Sequence, residues 1–401
     1  MTKYLIQHGS AKGVKIETAI LGNYCDGIVF SPREETIDSI QSYCNNNSLN
    51  PDTIFYDPQF YYSRYDTNIY KNLDKNSTFP LEIKRKDWRT KSDNIINFLD
   101  NHAKDSKKIS LNLITPSFYI DSLDWKFDHS LEIYNYCKEE YKDFKNYYLS
   151  LVICEKMFHS KNDVDELLED INDEIEEKDG IYFFVVHENV ENNSKIKNYE
   201  YMDEETLSNI LYFIHKLQDH GFKILSGYNF MNSVLYAMLN VEYVSGGWFN
   251  TLRKFSKDRF ENIDTFGIRK KRYTSIPLLS YFTGDLAKIV SEKTNISFML
   301  SGTSYDDRFI SDFDSLSFVD YEQQFWIAIY SAIEQINSNS DIKNRIDFVK
   351  RLIVNAISHY DDMIRNFPYE EEISNKLRTN AVHLNKWLLA IELFEKKALI
   401  I

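Results

Sequence analysis

Short apolar runs recur along the N-terminal part of the chain, each followed by a polar turn and then by residues at helical spacing. Eight of them fall before residue 250, at 4–7, 27–30, 53–56, 109–114, 148–154, 181–186, 222–225 and 242–244. Several, such as SLVIC and IYFFVV, are continuous rather than alternating, the pattern of strands covered on both faces and hence of a parallel sheet. Between the runs, Ile37, Ile40 and Tyr43 share one helical face. Residues 203–218 carry Leu207, Ile210, Leu211, Ile214 and Leu217 behind an Asp-Glu-Glu start that suits a helix N-terminus. Gly221 stands where a left-handed C-cap is expected.

Eight strand–helix units predict an α/β fold, a (β/α)8 TIM barrel, over 1–265, close to the usual barrel length of about 250 residues. The rival is a doubly wound open sheet, disfavoured by the count of eight and by the lack of GxGxxG after the first strand. Units three and four are the weakest. Residues 62–107 hold a long polar insertion that, in a barrel, lies at the catalytic mouth and can act as a lid. From about 266 the pattern changes. GIRKKRYTS is a basic connector, and 321–336, 342–364 and 372–397 read as long helices with almost no strand signal. We therefore expect an all-α C-terminal domain over 266–401, with Gly302 and Pro368 as punctuation. The acidic segment 163–179 places Val164, Leu167, Leu168, Ile171 and Ile175 on one side, as on a helix covering the outside of a barrel.

The 401 residues include 47 Lys+Arg against 61 Asp+Glu, a formal charge of −14. This argues against a protein that coats duplex nucleic acid, which needs clustered cations. With 43% hydrophobic and 15% aromatic residues, the chain has ample material for a core. No stretch approaches the ~18 apolar residues of a membrane helix, and the N-terminus lacks a signal-peptide core. Cys25, Cys44, Cys137 and Cys154 are scattered without CxxC spacing, so neither a zinc site nor a disulfide framework is expected. A cytoplasmic protein with reduced thiols, without cofactor, is the reading that follows.

In a barrel the chemistry lies at the C-terminal ends of the strands, and those ends are almost all polar or glycine here. Asp57, after the apolar IFY and before Pro58, is placed to accept a proton or orient a substrate amide; the plainer reading is a turn aspartate. Glu155, next to apolar strand residues, is expected to have a raised pKa. His187 ends YFFVVH as a candidate proton carrier. His8 and Gln59 are substrate-binding candidates. A metal shared by His8, Asp57, Glu155 and His187 has no HxH or HExxH spacing behind it, and none is expected. Ser226 and Gly227 end the seventh run, and Ser245, Gly246 and Gly247 end the eighth, where many barrels bind phosphate through backbone N–H groups. Arg253 follows as a possible added charge. The alternative is that strand–helix turns simply require glycine.

The stretch 253–273 interleaves Arg253, Lys254, Arg259, Arg269, Lys270, Lys271 and Arg272 with Phe255, Phe260 and Tyr273. Cations among aromatics suit single-stranded nucleic acid or a nucleotide; an ordinary basic linker is the alternative.

Three segments resemble the tRNA-guanine transglycosylase superfamily of barrels. HGSAKGVK resembles its Gly-Thr…Val-Lys opening. FYDPQFY resembles its Asp-Ser-Gly-Gly-Phe-Gln segment, with Asp57 at the substrate-binding aspartate. ILSGYNFMNSVLYAMLNVEYVSGG resembles the unit that leads to the catalytic aspartate. The likeness spans about 4–260. It implies a barrel with a nucleobase or nucleotide pocket around Asp57. It does not carry the covalent base-exchange mechanism, because Ser245 stands at the nucleophile's position and the Cys-Cys-Cys-His zinc site is absent.

These features lead to an expected barrel enzyme, a transferase or hydrolase, acting by acid–base chemistry on a nucleobase, nucleotide or other phosphate-bearing substrate. Asp57, Glu155 and His187 would be catalytic. The alternative is a non-catalytic barrel subunit of a multiprotein or nucleic-acid-associated assembly, with a protein partner or self-association through 277–401. A filled or shallow mouth would favour it.

Overall fold

The structure is a computed structural model that describes residues 1–9, 14–63, 73, 79–80, 83–176, 178–188, 203–248, 252–260, 270–313 and 315–400. Eight parallel strands form the barrel wall: β1 (Lys3–Gln7), β2 (Gly27–Phe30), β3 (Ile54–Tyr56), β4 (Asn112–Ile114), β6 (Asn146–Cys154), β7 (Gly180–His187), β8 (Lys223–Ser226) and β9 (Tyr243–Gly247). Their order is β3-β2-β1-β9-β8-β7-β6-β4. Two-residue strands extend the wall: β5 (Tyr119–Ile120) pairs with the upper half of β6, which is too long for β4 alone, and β10 (Phe255–Ser256) pairs with the end of β7.

The β3–β4 seam is closed by side chains rather than a regular ladder. Asn112 Nδ2 donates to the Asp52 and Ile54 carbonyls (2.9 and 3.1 Å), Ser110 Oγ donates to Ile54 O (2.5 Å), and Leu111 N donates to Pro51 O (3.1 Å). Asn112 of β4 and the two residues before it thus supply donors that satisfy the open carbonyls at the start of β3.

Parallel registers fix which side chains face inward. Phe55 meets Tyr148 and Tyr243 edge-on, each with ring centroids 5.2 Å apart, across the barrel interior. On β7, Tyr182 and Phe184 point inward while Phe183 packs outward on Phe158 and Phe213. The strands read as continuous apolar runs because both faces are covered, as the sequence pattern implied.

Helices α1 (Val14–Leu21), α2 (Ile37–Asn46), α3 (Arg85–Arg89), α4 (Asp93–Lys107), α5 (Trp125–Glu140), α6 (Lys161–Glu174), α7 (Glu204–Asp219) and α8 (Ser233–Met238) accompany the barrel strands. The acidic segment is α6, with Val164, Leu167, Leu168 and Ile171 buried. Gly221 has φ +96°, the left-handed conformation expected after α7. The polar insertion contains α3 and α4; most of its first part, 64–72 and 74–78, lies outside the described residues.

The C-terminal region contains α9 (Gly284–Ser291), α10 (Asp306–Ser311), α11 (Phe318–Asn337), α12 (Ile342–Arg365) and α13 (Glu371–Ala398). It is not purely helical: β11 (Tyr273–Ser275) and β12 (Ser280–Phe282) form an antiparallel hairpin. Three-residue strands are too short to show periodicity, and Gln324 of α11 supports this one by accepting from Thr274 N (2.8 Å) and donating to Thr274 O (2.7 Å). The region docks on one flank of the barrel, with α11 against α1 and α8, α12 against α8, and α13 against α7. Apolar residues of both parts form one continuous core. Among the described residues, no helix is long and apolar enough to cross a membrane.

Candidate functional site

Asp57 follows β3 directly, and its N–H continues the ladder to Phe30 O (2.9 Å). Pro58 and the left-handed Gln59 (φ 54°) then fold the chain back into a short turn, Phe60–Tyr62. This return lets Gln59 N donate to Asp57 Oδ1 (2.9 Å) and Tyr61 Oη donate to Oδ2 (2.7 Å). Tyr182 Oη donates to the same Oδ2 at 3.2 Å. Asp57 has no solvent exposure. Burial pushes its pKa up, to about 6, against the opposing pull of the Tyr61, Gln59 and Tyr182 donors and the positive charge of Arg259. The Tyr61 and Tyr182 phenols are held well above their ordinary range, by burial first and then by the Asp57 charge.

Aromatic rings close over this carboxylate. Tyr228 follows Gly227 at φ 58°, a conformation that is costly for a bulky residue. It brings Tyr228 Oη within 3.4 Å of Tyr61 Oη and sets the ring edge-on against Phe184 (4.8 Å) and Phe255 (5.0 Å). Phe255, fixed by β10 on β7, also packs on Tyr61 and Phe260. The described part of the mouth is therefore filled with side chains of the chain itself.

A second pair sits where β6 and β7 end. His187 Nδ1 lies 3.3 Å from Glu155 Oε2, and Glu188 N donates to that oxygen at 3.4 Å. Burial tends to raise the Glu155 pKa, but the hydrogen bond and charge of His187 and the Glu188 amide prevail, and it falls below the ordinary value. The raised value expected from the sequence is thus corrected: desolvation was foreseen, the histidine partner was not. A carboxylate on Nδ1 selects the tautomer that leaves the lone pair on Nε2, as in acid–base enzymes. Lys257 Nζ lies 2.8 Å from Glu188 Oε1 and ties the turn after β10 to this edge. Asp57 and Glu155 belong to separate hydrogen-bond sets.

The remaining candidates are engaged elsewhere. His8 is buried, with its ring 5.1 Å from Phe30, on the side of β1 away from Gln7. Ser245 Oγ donates to Gln7 Oε1 (2.9 Å), and Ser226 bonds with Asn229. A Cβ at Gly246 would lie 2.6 Å from Asn229 O, one at Gly247 2.1 Å from Leu252 Cβ, and one at Gly227 2.9 Å from the Tyr182 ring. These glycines permit close packing within the chain. Arg253 donates to Gly247 O (3.0 Å) and Trp248 O (3.2 Å), and its guanidinium lies 3.5 Å from the Phe325 ring centroid. It clamps the end of β9 to α11. Arg259 and Arg272 likewise stack on the chain's own aromatics, Arg272 at 4.9 Å from Tyr281. The 261–269 part of the basic stretch, Arg269 included, lies outside the described residues. Among the described residues, no three His, Cys, Asp or Glu side chains come together as a metal-ligand set.

Tyr61 and Tyr228 lie at strand ends but were given no role from the sequence, and Tyr182 was not singled out. Strand alternation on β7 marks Tyr182 as inward-facing once Phe183 is assigned to the outer face, so that signal was present. No family model matches the chain, and no curated protein matches its sequence.

Proposed function

We propose that the chain is a barrel enzyme that binds a nucleobase, nucleotide or other phosphate-bearing substrate at its C-terminal mouth and acts by acid–base transfer or hydrolysis. The observation that carries this reading is Asp57, a fully buried carboxylate at a strand end whose pKa is lifted to about 6. A group that titrates near neutrality in a desolvated site can both hold and release a proton under working conditions. The rotatable Tyr61 and Tyr182 hydroxyls occupy the acceptor sites that ligand N–H groups would take. The Glu155–His187 pair supplies an oriented imidazole on the neighbouring strand ends. The resemblance to the transglycosylase barrels supports a nucleobase ligand at Asp57.

A second reading has its own observation. Tyr61, Phe184, Tyr228, Phe255 and Phe260 fill the mouth, which suits a non-catalytic barrel subunit. A thermal-shift panel of nucleobases, nucleotides and sugar phosphates on wild type and Asp57→Asn separates the two. A ligand at 100 times its dissociation constant stabilises by about 2.7 kcal/mol. A shift in wild type that Asp57→Asn abolishes supports the enzyme reading. Absence of any shift overturns it in favour of the subunit.

A further inference from the structure

Residues 252–260 cross the mouth as a strap. β8 leaves the wall early: its last pair with β7 is Ser226 with Phe183, whereas β7 runs on to His187. β6 holds the other edge of β7 as far as Val186, so β10 takes the edge that β8 vacates, with Phe255 opposite Val186 and Ser256 opposite His187. The strap is held at its start by Arg253, which is bonded to the Gly247 and Trp248 carbonyls. Beyond β10 the Lys257–Glu188 ion pair ties it to the rim, with side chains 34% and 43% exposed. An ion pair in such a setting contributes little.

Phe255 is the inward ring of the strap and has no solvent exposure. Tyr61, Tyr62, Phe184, Tyr228 and Phe260 surround it with ring centroids 4.9–6.0 Å away, and the Arg259 guanidinium lies 4.8 Å from its centroid. Edge-on rings and a guanidinium are the surroundings that a π face attracts. Tyr61 carries this box down to the carboxylate, because its hydroxyl donates to Asp57 Oδ2 at 2.7 Å. Phe255 offers that floor nothing to bond. A flat heterocycle in its place would keep the same rings around it and bring N–H donors toward Asp57. Asp57 is fully buried, so a ligand that reaches it must first move part of the roof. Tyr61, Tyr62, Phe184 and Tyr228 stand on wall strands or on the turns directly after them, whereas Phe255 belongs to a two-residue strand.

We propose that the strap 252–260 is an autoinhibitory cover, and that Phe255 holds the place of the ligand's planar heteroaromatic ring, which enters when the strap lifts from β7. This rests on the reading of the mouth as a nucleobase-type site at Asp57. The filled mouth is then the resting state of the site, and its apparent affinity is reduced by the fraction of molecules in which the strap is closed.

The test combines calorimetric titration of the full chain with amide hydrogen exchange, using hypoxanthine as the heterocycle and toluene as a ring without hydrogen-bonding groups. Wild type should bind hypoxanthine weakly, with faster exchange at the 255–257 amides in the complex. Phe255→Ala removes the occupant and should bind hypoxanthine about tenfold more tightly. Any cavity left by a lost ring takes up toluene, so the deciding variant is Phe255→Ala with Asp57→Asn, which should keep toluene and lose hypoxanthine. Lys257→Glu sets two like charges at the half-exposed rim and leaves the buried rings untouched. It should speed exchange at 255–257 and tighten hypoxanthine binding about threefold, and it carries the test if Phe255→Ala does not fold. Hypoxanthine binding no tighter in Phe255→Ala than in wild type, or equal with and without Asp57, overturns the proposal, as does a Lys257→Glu chain with unchanged exchange and affinity. Nucleobase binding to wild type that needs Asp57 but leaves exchange at 255–257 unchanged would remove the strap and keep the enzyme reading. A Lys257→Glu chain in which Asp57 becomes open to carbodiimide labelling, while no nucleobase, nucleotide or sugar phosphate binds any variant, would keep the cover and remove both the ring site and that reading.

Discussion

Tyr182 and Asp57 are 125 positions apart in sequence and joined by a 3.2 Å hydrogen bond across the barrel, with the phenol donating to the carboxylate. The bond favours the charged form of a group that burial otherwise keeps protonated. Tyr182→Phe should therefore push the Asp57 pKa further above 6. The cost in stability should reach about 1.5–3 kcal/mol at pH 8, the range for a hydrogen bond to a charged group, and shrink at pH 5, where Asp57 is largely protonated. Urea unfolding at the two pH values checks this; an equal cost at both would mean that the phenol serves packing alone.

Asp57 itself makes stability depend on pH in a definite sense. Its pKa rises from 3.8 to about 6 on folding, so between those values the folded chain keeps a proton that the unfolded chain releases. The contribution is complete below about pH 3.8 and is lost as pH rises through about 6. A shift of roughly two units is worth about 3 kcal/mol. Asp57→Asn removes this dependence, so its stability relative to wild type should improve by about that amount between pH 4 and pH 7.5. Parallel stability curves for the two proteins would contradict the raised pKa.

Glu155 has the opposite sign. Its pKa is lowered because His187 outweighs burial, so its stabilising effect is present above the ordinary carboxylate range and fades as pH falls through the folded value. Glu155 and His187 are both partly exposed, so the energetic effect is small, under about 1 kcal/mol. The clearer readout is a carboxyl titration by NMR with labelled glutamate: His187→Ala should remove the main opposition to burial, leaving the Glu188 amide, and move the Glu155 pKa upward. A downward or absent movement would show that Glu188 N, not His187, sets it.

The fold was far more legible than the site. Strands β6 and β7 are long apolar runs that only a doubly covered sheet can use, so SLVIC and IYFFVV announce themselves. The hairpin of Tyr273–Ser275 with Ser280–Phe282 does not, because three residues hold one alternation and its support comes from Gln324, about 50 positions later. Asp57 stood out because a carboxylate followed by proline ends an apolar strand. Gln59 was named beside it, but the tyrosines around it were not, since Tyr228 carries a left-handed turn where glycine or asparagine would have signalled it. The glycines just after β8 and at the end of β9 were conspicuous in a chain poor in glycine. Composition cannot distinguish a glycine that admits a ligand from one that admits Leu252 or Asn229.

That distinction yields a test at Gly247. An alanine Cβ there would lie 2.1 Å from Leu252 Cβ and 3.1 Å from Gln7 O, so the end of β9 or the 252 turn must move. The same turn carries Arg253, whose guanidinium holds the Gly247 and Trp248 carbonyls against Phe325. Gly247→Ala should cost about 1–3 kcal/mol, as overpacking does, and should loosen the contact with α11. Lowered melting with faster amide exchange in 318–337 is the expected result; melting at the wild-type temperature would show that this turn is slack.

The seam between β3 and β4 is the remaining weak point of the wall, because side chains do there what a ladder does elsewhere. Asn112 Nδ2 reaches the Asp52 and Ile54 carbonyls, while Asn112 Oδ1 accepts from Asn146 Nδ2 (2.8 Å), so one amide links β3, β4 and β6. Asn112→Leu nearly preserves volume but leaves these buried groups unpaired. Each orphaned group costs about 1–3 kcal/mol, so the variant should lose several kcal/mol. Asn112→Asp keeps the shape but turns a donor into an acceptor facing two carbonyls, so it should be as damaging at pH 8 and recover partly at pH 4, where the protonated acid can donate one bond. Asp57 rides on β3, so opening this seam should also expose it and bring its pKa down toward 3.8. Stability and the Asp57 titration should therefore move together in the Asn112 variants. A destabilised variant whose Asp57 still titrates near 6 would show that the aromatic roof alone sets its environment.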